Sequence, residues 1–176
     1  MKKLIERARS RDVDAFTELM TSQMQHMYKT AYAVLANDDD AADAISDTIL
    51  TCWEKLGQLK EAGYFKTWMT RILVNKCYDI LRKKERFLVQ EEIPDVPVHD
   101  EQYERAEWKA AISRLDEKYR VVMLLYYVEG FRTAEIGEIL AMPESTVRTR
   151  LARGREKLAQ EYFADDGRKG NPRTVG

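Results

Sequence analysis

Three groups of side chains in this sequence have types and spacing that could do chemistry. The first is a basic stretch in which Ser145, Thr149, Ala152 and Arg153 point one way at helical spacing, with Arg148 and Arg155 on one shoulder and Arg150 and Lys157 on the other. Such a face suits the major groove of duplex DNA: guanidinium forks pair bidentately with guanine, small residues allow close approach, and flanking cations meet phosphates. The second lies between Lys60 and Arg86, where eight bases stand against three acids and Tyr64, Phe65 and Trp68 are interleaved with them. Rings on a charged track are how a site for unstacked bases is composed. Trp68 reads as core or mixed; Tyr64 and Phe65, in a loop beside Gly63, read as the better contacts. The third is the pair Asp43 and Asp47, one helical turn apart. Two carboxylates could hold a metal or move a proton, but no His or third carboxylate joins them at that spacing, so a docking or solvated face is the simpler reading.

The remaining reactive side chains carry less. His26 sits among core-type methionines and reads as a satisfied histidine, and His99 has no partner pattern. Cys52 and Cys77 lack the spacing of a zinc or redox motif and read as buried, reduced thiols. Gly-rich phosphate loops and nucleophile elbows are absent, so neither catalysis nor a cofactor is expected.

Helices must position these groups. Behind a possible Asp12 cap, Phe16, Leu19, Met20, Met24, Met27, Ala31 and Leu35 recur as one stripe. Asn37 to Asp40 supply a turn and cap for a second stripe from Ala41 to Leu56 that ends at Gly57. A third helix is expected from Lys66 to about Lys84, with Trp68, Ile72, Leu73 and Ile80 inward. After it, Phe87 to Tyr103 holds Pro94, Pro97 and five acids with no base, the composition of a linker. Helical signal returns with Trp108, Ala111, Ile112 and Leu115; Asp116 then opens an apolar run that stops at Gly130. Thr133 as cap, Glu135 in the first turn, a short Ala141-Met142 turn and Pro143 at a helix opening are helix-turn-helix grammar. Val147, Leu151, Gly154 and Leu158 form the inward stripe of its second helix. The residues from Ala164 on read as a frayed tail.

With 176 residues, 44% hydrophobic and 34% charged, the chain can bury a core or two small ones. Its net charge of −1 requires nucleic-acid binding to come from local patches balanced by acid elsewhere. No apolar run approaches the roughly 18 residues of a membrane span. A cytoplasmic protein without membrane insertion is expected.

Four stretches in order resemble the extracytoplasmic-function group of bacterial sigma factors: D-A-A-D-A-I-S-D-T-I-L-T-C-W from Asp40, F-K-T-W-M-T-R-I-L-V-N from Phe65, the acidic linker, and L-D-E-K-Y-R-V-V-M-L-L-Y-Y through S-T-V-R-T-R-L-A-R-G-R. The resemblance implies an all-α chain of two small domains: residues 1–86 for core polymerase docking and the −10 element, an acidic linker at 87–104, a helix-turn-helix domain at 105–163 for the −35 element, and a tail at 164–176. It implies docking on the clamp helices of the polymerase's largest catalytic subunit through Asp40, Asp43, Asp47 and Trp53. It implies reading of the melted −10 strand by Tyr64, Phe65, Lys66, Trp68, Arg71, Asn75, Lys76, Asp79, Arg82 and Lys83, with Asn75 on an extruded base. At the −35 duplex it implies Ser145, Thr146, Arg148, Thr149, Arg150, Ala152 and Arg153, and it implies an anti-sigma factor as partner. Gly137 and Gly154 stand where the family commonly has Ala, each costing up to about 1 kcal/mol of helix preference. Two other readings stay open: a regulator that binds duplex DNA alone, and, remotely, a metal-assisted hydrolase using Asp43 and Asp47.

Overall fold

The computed structural model describes residues 1–88 and 113–169, with side chains to Phe87 in the first span and Gln160 in the second. Seven α-helices lie in those spans: α1 Lys2–Arg9, α2 Val13–Leu35, α3 Asp38–Lys55, α4 Phe65–Leu88, α5 Glu117–Met123, α6 Thr133–Leu140 and α7 Glu144–Lys169. Among the described residues there is no strand. Short 3₁₀ turns at Leu56–Gln58 and Ala62–Tyr64 join α3 to α4, and a π turn over Leu124–Val128 follows α5.

The caps are where side-chain chemistry puts them. Asp12 accepts the Ala15 N–H at 3.0 Å and Asn37 accepts that of Asp40 at 3.0 Å, satisfying donors that the first turn leaves free. Asp38, Asp39 and Asp40 then lie in the positive first turn of α3. No expected element corresponded to α1, which is polar enough that only Ile5 and Ala8 are buried. Arg11, at φ 67°, turns the chain from α1 into α2.

Helices α2, α3 and α4 pack on one another with α1 across their end. Leu19, Met27, Ala31, Ala44, Cys52, Met69, Leu73 and Cys77 fill the space between them. The expected stripes hold with adjustments at their edges. Met24 faces outward, and Trp68, Ile72 and Ile80 are half-buried where Met69, Leu73, Val74 and Cys77 make the true inner face. Helix α4 begins at Phe65, one residue before the expected start, and reaches Leu88, into the stretch read as linker. The rest of that linker and the Trp108, Ala111 and Ile112 stripe lie outside the described residues. At the other end α7 continues to Lys169, past the expected boundary at Phe163; residues 170–176 of the expected tail lie outside the described residues.

The C-terminal helices sit against the N-terminal ones. Buried apolar side chains from Ile5 to Leu151 form one cluster across both domains. Arg120, 8% exposed, spans the join: its Nε donates to the Ala33 carbonyl at 2.5 Å and its Nη1 to that of Leu115 at 3.2 Å. Ala33 O is one of the last four carbonyls of α2, which have no partner within their own helix. A cation is the right cap for that negative end. Burial pulls the Arg120 guanidinium below its ordinary value, and the charges of Glu117, Tyr32 and Asp116 work against that shift.

Candidate nucleic-acid interfaces

Helices α6 and α7 make the helix-turn-helix. Ala141 closes α6 in the left-handed region at φ 52°, and the Met142 N–H returns to the Gly137 carbonyl at 2.9 Å. That turn is tight enough to explain Gly137: a Cβ there would stand 2.9 Å from the Met142 carbonyl oxygen. Thr133, expected as the cap, is instead the first helical residue. Arg132 precedes it with its backbone N–H on Glu135 Oε2 at 2.8 Å. The Thr133 hydroxyl is thereby free to donate to Glu144 Oε1 at 2.5 Å, tying the start of one helix to the start of the next. This bond first, and that from Arg148 at 2.7 Å second, hold the Glu144 carboxyl below the usual range.

Val147 and Leu151 bury the inner face of α7, and Gly154 packs where a Cβ would meet the Met123 side chain at 3.0 Å. Gly154 therefore follows from close helix packing. Ser145, Arg148, Thr149 and Arg153 are exposed, and Thr146, Arg150 and Ala152 are half-buried beside them. With Lys118 and Tyr119, five of these seven (Ser145, Thr146, Thr149, Arg150 and Arg153) line a shallow groove of about 330 Å³. Guanidinium and hydroxyl groups on an open helix face can donate to base edges and phosphates together.

The second expected interface runs along α4. Arg71, Asn75, Asp79, Arg82 and Lys83 are exposed and Lys66 and Lys76 half-buried; Arg82 is ion-paired to Asp79. Tyr64 is 37% exposed, but Phe65 is only 2% exposed. The expectation that Phe65 offers its ring as a contact is corrected: its place at the first turn of α4 aims the ring into the core, 6.1 Å from the half-buried Trp68. Residues of the C-terminal domain occupy part of this edge. The Tyr64 hydroxyl donates to Glu138, and burial and that bond's neighbours aside, this bond is the main reason the phenol is pushed up. Lys66 Nζ donates to the Glu129 carbonyl at 3.0 Å and lies 5.0 Å over the Phe131 ring. Farther along, the Tyr78 hydroxyl donates to Glu117 at 2.5 Å.

The expected docking residues divide. Asp43 and Asp47 share an exposed face of α3 with Leu50, while Asp40 is paired to Lys84. Trp53 is half-buried, packing edge-on to Phe16 at 4.9 Å with the Arg11 guanidinium 5.1 Å above its ring. No cluster of three metal-ligating side chains occurs among the described residues. Cys52 and Cys77 are buried, and burial pushes both thiols up to about 12.

Glu117, Arg120, Glu129 and Glu138 escaped the sequence reading. Their partners lie 39 to 103 residues away along the chain apart from the short Arg120 to Leu115 bond, so no local periodicity announces them.

Comparison with known proteins places both halves. Residues 19–87 match the family model of sigma-70 region 2, and residues 105–158 match that of sigma-70 region 4. Over 179 aligned residues the chain is 27% identical to the ECF RNA polymerase sigma factor SigW of Bacillus subtilis, covering 92% of this chain and 96% of that one. The chain belongs to the sigma-70 family, in its extracytoplasmic-function group. Two solved folds are similar to this sigma factor at 24% identity each. The sigma factor RpoE, from a complex with the anti-sigma factor NepR of Bartonella quintana, aligns with TM-score 0.74 over 87% of this chain and 99% of its own. CnrH, from a complex with the cytosolic domain of CnrY, aligns with TM-score 0.69 over 93% of this chain and 97% of its own. Helices α2 to α4 thus correspond to region 2, and α5 to the middle of α7 to region 4.

Proposed function

We propose that the protein is an alternative sigma factor that binds core RNA polymerase, recognises −35 and −10 promoter elements and promotes melting between them. The observation that carries this reading is the order of two modules on one chain: a region 2 match with an exposed base-rich helix, then a region 4 match whose helix-turn-helix leaves Arg148, Thr149 and Arg153 open. Such a factor is a DNA-binding specificity subunit and contributes no catalysis of its own.

The residue roles follow from chemistry. Arg148 and Arg153 supply forks for guanine or phosphate at the −35 duplex, with Ser145, Thr146, Thr149, Arg150 and Ala152 setting the approach. Extruding a −10 base costs a few kcal/mol, which an amide edge and stacking surfaces offset. Asn75 offers that edge; Tyr64 and Trp68 offer the rings; Lys66, Arg71, Lys76, Arg82 and Lys83 track the backbone, and Asp79 orients Arg82. Phe65 supports these from the core. Asp43 and Asp47 on the exposed face of α3 dock on the clamp helices of the largest polymerase subunit, with Asp40 at its rim and Trp53 bracing the helix against Phe16 of α2. Residues 1–86 and 105–163 act as separate modules on a linker at 87–104. The similar sigma factor RpoE, solved with the anti-sigma factor NepR, supports an anti-sigma factor as a further partner. Action on polymerase places the protein in the cytoplasm, and no helix among the described residues is long and apolar enough to cross a membrane.

Run-off transcription on genomic fragments tests this. Discrete starts are expected only when core polymerase and the protein are both present, and Asp43→Ala plus Asp47→Ala should abolish them together with core binding. A protein that adds no starts yet shifts duplex fragments alone is a conventional helix-turn-helix regulator.

A further inference from the structure

The contact between the two domains is built around a buried histidine. His26 of α2, 8% exposed, reaches Glu129 Oε2 through Nδ1 at 2.5 Å and the Thr70 Oγ1 of α4 through Nε2 at 2.7 Å. Glu129 follows the π turn after α5, its side chain 9% exposed, and Lys66 Nζ of α4 stands 3.5 Å from the same carboxylate oxygen. The bonds fix the protons. Thr70 has one hydroxyl proton, and it is directed to the Lys66 carbonyl at 2.7 Å, the usual back-bond of a helical threonine. Toward the imidazole the hydroxyl oxygen must therefore accept. A carboxylate only accepts. Both ring nitrogens are then donors, and the ring that satisfies every bond at once is the imidazolium.

We propose that His26, Glu129 and Lys66 form a proton-dependent latch that holds the C-terminal domain over the single-strand reading edge of α4, closing the free protein to DNA. The latch sits where occlusion matters, because two residues assigned to the −10 strand are spent on it: Lys66 on Glu129, and Tyr64 on Glu138. Acidic groups of the second domain occupy positions that phosphate would take. Opening returns both residues to solvent and takes His26 away from the carboxylate and the hydroxyl oxygen that accept its two N–H protons. The remaining charged groups around the ring belong to Met1, which carries the α-amino group, Lys2 of α1 and Lys29 of α2, which line the adjoining cavity with Glu129 and Lys66, so the carboxylate is the one anion facing it among the described residues. On the other side the Phe131 ring lies 5.9 Å away and carries no charge. Burial by itself pushes the Glu129 carboxyl up, but the bond and charge of His26 and the charge of Lys66 outweigh it, so that the net shift is downward. Closure is therefore strongest where the ring is protonated and the carboxylate is not.

The consequence for transcription rests on the sigma-factor reading, but the latch does not, so it is measured on the free full-length chain. Glu18→Cys on α2 and Glu156→Cys on α7 place a dye pair on exposed sites of the two domains, while Cys52 and Cys77, buried and held as thiols, resist labelling. Energy transfer should report a closed protein near pH 6 that opens toward pH 8.5, the opening constant rising by up to about tenfold per pH unit, the limit for one linked proton. In His26→Gln the transfer should be low and flat across that range. Glu129→Gln, changed in the other domain, should behave the same way, and far-ultraviolet dichroism checks that each variant keeps its helices. Wild-type transfer that does not change with pH, or a His26→Gln protein that stays closed, overturns the latch. Run-off transcription at the two pH values then reads the consequence separately: normal starts with no pH-linked opening leave the sigma reading standing and remove the latch.

Discussion

Replacing Arg120 with methionine isolates the strut between the domains. Methionine keeps most of the apolar stem and removes two charge-assisted hydrogen bonds, to the Ala33 and Leu115 carbonyls. Bonds to charged groups contribute about 1.5–3 kcal/mol each, and the Ala33 carbonyl, at a helix end facing protein, has no replacement donor of its own. Against this stands the cost of keeping a guanidinium at 8% exposure, several kcal/mol less favourable than in water, which methionine does not incur. We expect the difference to be a net loss of about 2–3 kcal/mol, with the lower figure if water reaches Ala33. Lysine at the same position should recover part of the loss, since a single ammonium can reach one carbonyl but lacks the fork. Urea unfolding followed by dichroism at pH 7 is the assay, with midpoint and slope read separately: a lower midpoint at unchanged slope reports lost stability, and a changed slope reports domains that no longer unfold together. If Arg120→Met unfolds within about 0.5 kcal/mol of wild type, the capping argument is wrong and the guanidinium is only tolerated at this join.

Three other perturbations test separate contacts. Gly137→Ala should destabilise by about 1 kcal/mol despite the better helix preference of alanine, because its Cβ would press on the Met142 carbonyl, and −35 duplex binding should weaken with it; a gain in melting temperature would show that the turn yields freely. Thr30 has a fully buried hydroxyl with no hydrogen-bond partner among the described residues, so Thr30→Val should stabilise by about 1 kcal/mol in the same urea assay, and destabilisation would point to a partner water. Glu129 titrates below the ordinary carboxylate value, so its contribution is present above that value and is lost as pH falls through its lowered one; acid unfolding of Glu129→Gln should accordingly be shallower than that of wild type, and superimposable acid limbs would argue against the His26 and Lys66 pairing.

Local chemistry was legible because it repeats along the chain. Asp12 and Asn37 cap as their side chains require, Val147 and Leu151 turn inward at helical spacing, and Arg148, Thr149 and Arg153 remain outside. Periodicity fails at element edges, where one residue changes the outcome. Phe65 looked like part of a loop, but once it begins α4 its ring enters the core; Thr133 looked like a cap and became the first residue inside. Trp53 was expected on a docking face by its position in a motif; its contacts with the Phe16 ring and the Arg11 guanidinium, on another helix and a turn, could not be read from that position.

Capping rules, 3.6-residue apolar stripes, the basic face of the second helix-turn-helix helix and the order of the two modules were all determined by the sequence, since each depends on residues within a few turns of one another. How the modules face each other was decided only by tertiary structure. Arg120 on Ala33, Glu129 on His26 and Glu138 on Tyr64 join residues 74 to 103 positions apart. No spacing rule encodes such pairs: a buried charge is tolerated only where a distant chain segment happens to present the matching group, and that coincidence exists only after the helices have packed.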